Sequence, residues 1–241
     1  MSKTVGIMGG MGPLATVDML RKIIEHSPAH NDQEHLHIII DDFPQIPDRT
    51  AAILGQGMDP KPFMLQSAKL LEEAGAELIV MACNTAHYFW GDIANSIQSP
   101  MLNIQVETAR FVRKSHLKKV GLLATDGTLK TKLYSIACQT EGITVLEPDF
   151  EHQKWVMKGI YAIKAGDLVT GSRCLSAVAQ ELVSKGAEAI IAGCTEIPLV
   201  LHSSQDLKII DPTEILAEAV VQTAYTGVIK KVDTTQKAEG F

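Results

Sequence analysis

The chain repeats itself, and that limits its architecture more than any other feature. Gly75-Ala76-Glu77-Leu78-Ile79-Val80-Met81-Ala82-Cys83 is matched by Gly186-Ala187-Glu188-Ala189-Ile190-Ile191-Ala192-Gly193-Cys194, an offset of 111 residues. Each copy reads Gly-Ala-Glu, an apolar strand, and a cysteine eight residues after the glycine. Val5-Gly6-Ile7-Met8 likewise matches Val120-Gly121-Leu122-Leu123 at an offset of 115. Carried forward without a gap, this match pairs Gly12, Leu14 and Thr16 with Gly127, Leu129 and Thr131. A weaker third pairing sets Asn103–Glu107 against Ile210–Glu214. Matches in the same order with nearly equal offsets imply one supersecondary unit used twice.

The kind of unit follows from the apolar pattern. Thr4–Met8, His37–Asp41 and Glu77–Ala82 read as strands, and Leu65–Ala74 and Leu175–Lys185 as helices leading into the repeated strands. Near-continuous apolar strands alternating with helices indicate parallel sheets covered on both faces. The expected fold is therefore α/β: two similar open parallel-sheet α/β domains related by pseudo-two-fold symmetry, with the active site in the cleft between them. The first domain is placed at 1–106 and the second at 107–212. A C-terminal helix at about 213–230 is expected to return to the first domain, followed by a polar, frayed tail at 231–241. The 241 residues carry a net charge of −6, so there is no basic footprint for nucleic acid. No apolar run reaches the roughly 18 residues that span a bilayer. The start of the chain lacks a secretory apolar segment, so a cytoplasmic protein with reduced thiols is expected.

The four cysteines divide accordingly. Cys138 and Cys174 fall in helical segments and read as structural, whereas Cys83 and Cys194 end the repeated strands. Ligands of open α/β sheets bind beyond the carboxyl ends of the strands. Across a pseudo-two-fold cleft, each of these thiols would face one side of a small molecule. One thiolate removing a proton and the opposite thiol delivering one would invert a carbon centre, the chemistry of a racemase or epimerase. A helix starting after each cysteine would aim backbone N–H groups at the cleft and lower a thiol pKa. Cys83 with His87 resembles half a metal site, but no second pair with zinc-like spacing accompanies it, so no metal is expected. His26, His30, His35 and His37 read as solvated surface. Gly10-Met11-Gly12-Pro13-Leu14-Ala15 fits the dinucleotide fingerprint G-x-G-x-x-A. However, the acidic residue expected about 20 positions on is not found until Asp41 and Asp42, and the second copy, Ala124-Thr125-Asp126-Gly127, lacks the pattern. The loop is read instead as backbone amides lining the cleft.

Four stretches together resemble the aspartate/glutamate racemase superfamily, and within it the aspartate racemase branch. They are Gly9–Thr16, Ile46-Pro47-Asp48-Arg49-Thr50, Ala82-Cys83-Asn84-Thr85-Ala86-His87 and Gly193-Cys194-Thr195-Glu196-Ile197-Pro198-Leu199, and the resemblance runs from about residue 4 to 225. Glutamate racemases typically open with an Asp-Ser-Gly loop and carry His two residues after the second cysteine. Here the loop is Gly-Gly-Met-Gly and that later position is Glu196. The resemblance implies cofactor-independent interconversion of L- and D-aspartate, with Cys83 and Cys194 as the paired acid and base. It further implies substrate contacts from Met11, Arg49, Asn84, Thr85, Ala86, Lys164, Thr195 and Glu196. Thr125 joins them because it heads the loop that matches the glycine loop. Arg49 and Lys164 would offset the two carboxylates of the substrate, and Arg can grip a carboxylate through two hydrogen bonds. Glu196 is open to two roles, receiving the substrate ammonium or tuning Cys194. His87 reads equally as orienting its loop or as structural. The partner expected is a small-molecule amino-acid substrate, aspartate, with glutamate or a broad range of amino acids as the alternative. A non-catalytic amino-acid-binding protein and a nucleotide-dependent enzyme remain rivals. A homodimer is the expected assembly.

Overall fold

The computed structural model describes residues 2–228; the tail expected at 231–241 and the end of the expected C-terminal helix lie outside them. The elements are β1 (Val5–Gly9), α1 (Pro13–His26), β2 (Ile38–Asp42), α2 (Arg49–Ile53), α3 (Lys61–Glu73), β3 (Leu78–Met81), α4 (Trp90–Ala94), α5 (Ile104–Lys114), β4 (Lys119–Ala124), α6 (Asp126–Lys130), α7 (Leu133–Thr140), β5 (Thr144–Leu146), α8 (Phe150–Lys164), α9 (Leu168–Ser184), β6 (Ala189–Gly193), β7 (Ile209–Ile210) and α10 (Pro212–Thr226). Short 3-10 turns lie at Asp32–Glu34, Thr85–Phe89 and Ile197–Leu199. The strands form two all-parallel sheets, ordered β2-β1-β3 and β5-β4-β6-β7.

The Gly-Ala-Glu repeat has a physical explanation in both copies. Gly75 and Gly186 take φ of 99° and 94° just past α3 and α9, a left-handed region that glycine enters at least cost. The glutamate that follows reaches sideways to the strand that opens its sheet. Glu77 Oε2 accepts from the Thr4 N–H at 3.0 Å, and Glu188 Oε1 accepts from the Lys118 and Lys119 N–H groups at 2.9 and 2.7 Å. The pairing carried forward to the first helices also holds: Thr16 Oγ1 donates to Gly12 O at 3.3 Å and Thr131 Oγ1 to Gly127 O at 3.0 Å. The third pairing needs a shift of one residue. Asn103 caps α5 and Asp211 caps α10, each accepting from two backbone N–H groups, so Asn103 corresponds to Asp211 rather than to Ile210.

Alternate strand residues feed opposite faces, as period-two side chains must. Val5, Ile7, Leu78 and Val80 pack with Met19 and Ile23 of α1 and with Leu216, Ala217 and Val220 of α10. Met8, Ile79 and Met81 pack with Met64, Ala68 and Leu71 of α3. In the second sheet, Leu123, Ile190 and Ala192 face α8 and α9, while Val120, Leu122 and Ile191 face α5 and α7. The C-terminal helix thus lies on the first sheet. A buried ion pair ties its first turn to α1: Lys22 Nζ sits 2.5 Å from both Asp18 and Asp211. His26, expected at the surface as a solvated side chain, is half-buried and bonded to Glu214 at 2.6 Å. His35 is also half-buried. Cys138 and Cys174 are buried within α7 and α9.

Candidate active site

In each sheet the connection from the first strand leaves on one side and the next strand returns on the other, so β1/β3 and β4/β6 flank the topological switch points where α/β sheets hold ligands. Cys83 follows β3 and Cys194 follows β6, while Met11 and Thr125 follow β1 and β4. One cavity joins these loop ends. Its lining includes Met11, Arg49, Cys83, Asn84, Thr85, Thr125, Lys164, Cys194, Thr195 and Glu196. Ala86 stands apart: it is fully buried in the cluster around Met8 and Met81 and does not line the cavity. Asp48, Thr50, Ile160 and Tyr161 complete the wall. Sequence reasoning missed these four, although Ile160 and Tyr161 lie one helical turn from Lys164 and so share its face. The cavity measures about 20 Å³, room for about one water.

The two cysteine loops do not start α-helices. A five-residue 3-10 turn follows Cys83 and a three-residue one follows Cys194. The expected lowering of a thiol pKa is reversed at Cys194. Burial and then the Glu196 carboxylate push that thiol well above its ordinary value, with Lys164 opposing them. Cys194 Sγ donates to Glu196 Oε2 at 2.9 Å, Thr195 Oγ1 donates to the same oxygen at 3.3 Å, and Lys164 Nζ pairs with Oε1 at 2.8 Å. Burial acts to lower Lys164, but the charges of Glu196 and Cys194 outweigh it and raise the ammonium above its usual range.

Around Cys83 the scaffold is tightly specified. His87 Nε2 accepts from the Ile104 N–H at 3.2 Å, so the ring proton sits on Nδ1 and is donated to Cys83 O at 2.7 Å. Burial holds this histidine down to about 4, so it is neutral and both its nitrogens are engaged. Gln105 Nε2 donates to Asn84 O at 3.0 Å. The side-chain oxygen of Asn84 accepts from the Tyr134 hydroxyl. Across the cleft, Thr85 Oγ1 meets Thr125 Oγ1 and Thr128 Oγ1 at 2.9 and 3.1 Å. The repeat is visible in the steric fit as well. A Cβ on Gly127 would lie 3.2 Å from Thr85, two residues past Cys83, and one on Gly12 would lie 3.5 Å from Glu196, two past Cys194.

The glycine loop does not offer all its amides to the cleft, because the Gly10 N–H is taken by Thr16 Oγ1 at 2.9 Å. Its contribution is Met11, whose carbonyl accepts from Arg49 Nη2 at 3.2 Å. Arg49 Nη1 donates to Ile46 O and Pro47 O, both at 3.0 Å. Arg49 Nε and Asn84 Nδ2 are buried donors without a protein partner among the described residues. Such donors are costly unless something accepts from them.

The sequence model described as Asp/Glu/hydantoin racemase matches residues 8–220. The chain belongs to that family. As a member of the Asp/Glu/hydantoin racemase family it is an amino-acid racemase, hence an isomerase. RacX of Bacillus subtilis strain 168, a broad specificity amino-acid racemase, is 30% identical over 227 residues, covering 91% of this chain and 97% of that protein. The aspartate racemase of Picrophilus torridus is 32% identical with a TM-score of 0.85, over 92% of this chain and 94% of that one. The glutamate racemase of Francisella tularensis, solved with D-glutamate, is 19% identical with a TM-score of 0.66, over 94% and 82% of the two chains, and shares the fold. Among the described residues no helix is long and apolar enough to cross a membrane.

Proposed function

We propose that this racemase interconverts L- and D-aspartate, with Cys83 and Cys194 as its two proton-handling groups. One observation carries the reading. The strand-end thiols of both repeats line one cavity with two cations, Arg49 and Lys164, and with two buried donors that lack acceptors among the described residues, Arg49 Nε and Asn84 Nδ2. A dicarboxylic amino acid supplies acceptors for those donors and negative charge for those cations. It also needs several times the room of one water, so the wall moves as it enters.

The thiols enter the reaction unequally. Cys194, bonded to Glu196, starts as the proton donor. Cys83, with the neutral Thr85 at the corresponding position, starts as the base. Cys83 removes the Cα proton from one face, and the negative charge that develops spreads into the α-carboxylate held by cavity donors. Cys194 then delivers its proton to the opposite face. Its thiolate is left beside Lys164, which offsets the charge. The other enantiomer uses the same groups in reverse. Both proton-handling groups belong to the chain, in keeping with cofactor independence. The same reading places the enzyme in the cytoplasm as a homodimer; its four free thiols suit a reducing compartment.

The test is L-aspartate in D₂O followed by chiral analysis. D-aspartate carrying α-deuterium is expected, and Cys83→Ser and Cys194→Ser should each abolish racemisation while remaining folded. Near-normal turnover in either variant sinks the two-base assignment. Absence of α-proton exchange with any amino acid would leave only a binding protein. A second reading, broad specificity, is favoured by the likeness to RacX. Comparable rates with neutral amino acids would select it.

A further inference from the structure

We infer that Tyr134 is a positioning residue for this site: from the second repeat it fixes the amide of Asn84, in the first, so that the Nδ2 donor is presented to the cavity. The inference deepens the racemase reading and rests on it for its kinetic arm.

The two ends of an asparagine amide are nearly the same shape, so packing alone selects neither. A phenol hydroxyl can accept as well as donate; here it donates, and that selects. Tyr134 is fully buried in α7, and its O–H donates to Asn84 Oδ1. The bond assigns oxygen to the inner end and leaves Nδ2 as the other end. Nδ2 is buried without a partner among the described residues, and Asn84 lines the cavity. An amide that accepts at its oxygen is also a stronger donor at its nitrogen. Burial pushes the Tyr134 hydroxyl well above its ordinary pKa, so it stays a donor throughout the working pH range. The backbone of the same residue is held separately by Gln105, which leaves side-chain orientation as the task of Tyr134. Because donor and acceptor belong to different repeats, the amide is correctly presented only when the two sheets stand together across the cleft.

Tyr134→Phe removes the hydroxyl and keeps the ring. The test compares wild type, Tyr134→Phe, Asn84→Ala and the double variant by kcat and KM for aspartate, and by calorimetric titration with malonate, an unreactive dicarboxylate. Thermal melts confirm folding, and Asn84→Leu replaces the alanine variant if that one fails to fold. Tyr134→Phe is expected to lower kcat/KM about 10-fold and to weaken malonate binding to a similar extent. In the Asn84→Ala background it is expected to do neither. A merely structural tyrosine would show the same loss in both backgrounds, and that result overturns the inference. Wild-type kinetics and affinity in a folded Tyr134→Phe also overturn it. If the wild type binds malonate but racemises nothing, the racemase reading fails and the malonate arm alone decides Tyr134. A wild type that does neither overturns both.

Discussion

Arg49→Lys separates charge from geometry at the candidate site. The guanidinium donates three hydrogen bonds to the carbonyls of Ile46, Pro47 and Met11. Its Nε–H and one remaining Nη2 hydrogen are left for a ligand, and Nε is buried without a partner among the described residues. Lysine keeps the positive charge but has only three N–H donors, and those three carbonyls can consume all of them. One or two charge-assisted hydrogen bonds to a substrate carboxylate would then be lost, at about 1.5–3 kcal/mol each. With the charge retained, a net loss of about 3 kcal/mol is expected, roughly 150-fold in kcat/KM. The carboxylate is present in ground and transition states alike, so most of the loss should fall in KM. The melting temperature should move little, because the three carbonyls still find donors. The assay is initial rates of L- and D-aspartate formation by chiral chromatography. The enantiomers have equal free energy, so kcat/KM must be the same in both directions for the wild type and every variant, which provides an internal check. If Arg49 holds the side-chain carboxylate, racemisation of alanine is untouched; if it holds the α-carboxylate, alanine and aspartate suffer together. A variant within about threefold of wild type on aspartate would refute the role of the Arg49 fork altogether.

Glu196→Gln removes the carboxylate that, with burial, holds Cys194 in its thiol form, and it releases Lys164 to stabilise the thiolate. In a Cys83→Ser background, iodoacetamide should alkylate Cys194 faster at pH 8 when Glu196 is replaced; an unchanged or slower rate contradicts the assignment. His87 is held down to about 4 by burial, against about 6.5 when unfolded. Its neutral form is favoured by the fold, so this stability is present above about pH 6.5 and is lost as pH falls towards 4, about 3 kcal/mol in all. Urea denaturation from pH 7 to 4 should show that slope in the wild type and a flatter one in His87→Gln; parallel curves would remove the explanation. Lys22→Met leaves Asp211 without its cation and Asp18 with only the exposed Arg21. It should cost about 3–5 kcal/mol and lower the melting temperature by about 10 °C, and a shift near zero would show that the α1–α10 tie is not held by this pair.

What the sequence made legible was whatever repeats or has a short period. The paired Gly-Ala-Glu segments predict β3 and β6, because the left-handed glycine and the alternating apolar residues are local signals. The helices leading into them begin earlier than expected, at Lys61 and Leu168, with Pro62 and Gly171, residues of low helix propensity, in their first turns. The edge strands β5 and β7, three and two residues long, are too short for a pattern. Contacts between the repeats were invisible for a different reason. Tyr134 meets Asn84 across 50 residues, and Thr128 meets Thr85 across 43, and nothing local in either segment records the other. The turn after each cysteine was misjudged because Asn-Thr-Ala-His and Thr-Glu-Ile-Pro suit a helix start and a 3-10 turn alike. With only a short turn there, backbone dipoles give way to burial, and then to the Glu196 carboxylate, as the main influences on Cys194.

That shift bears on how a duplicated fold can serve a reaction that runs both ways. Duplication places two thiols equivalently, one at the end of each repeated strand. The residue two positions later breaks the equivalence: the Thr85 hydroxyl bonds Thr125 and Thr128, whereas the Glu196 carboxylate is bonded to Cys194. Thermodynamics does not let this asymmetry favour one enantiomer in kcat/KM, because the two products are equally stable. It can appear only as kcat and KM that differ between L- and D-aspartate in the same proportion. On the two-base proposal, the form whose proton is taken by Cys83 meets Cys194 already in the thiol form it needs. The other form requires Cys194 to begin as the thiolate, against burial and Glu196. Glu196→Gln should therefore bring the two kcat values closer together. A gap that stays unchanged would mean that the inequality of the thiols lies elsewhere in the cleft.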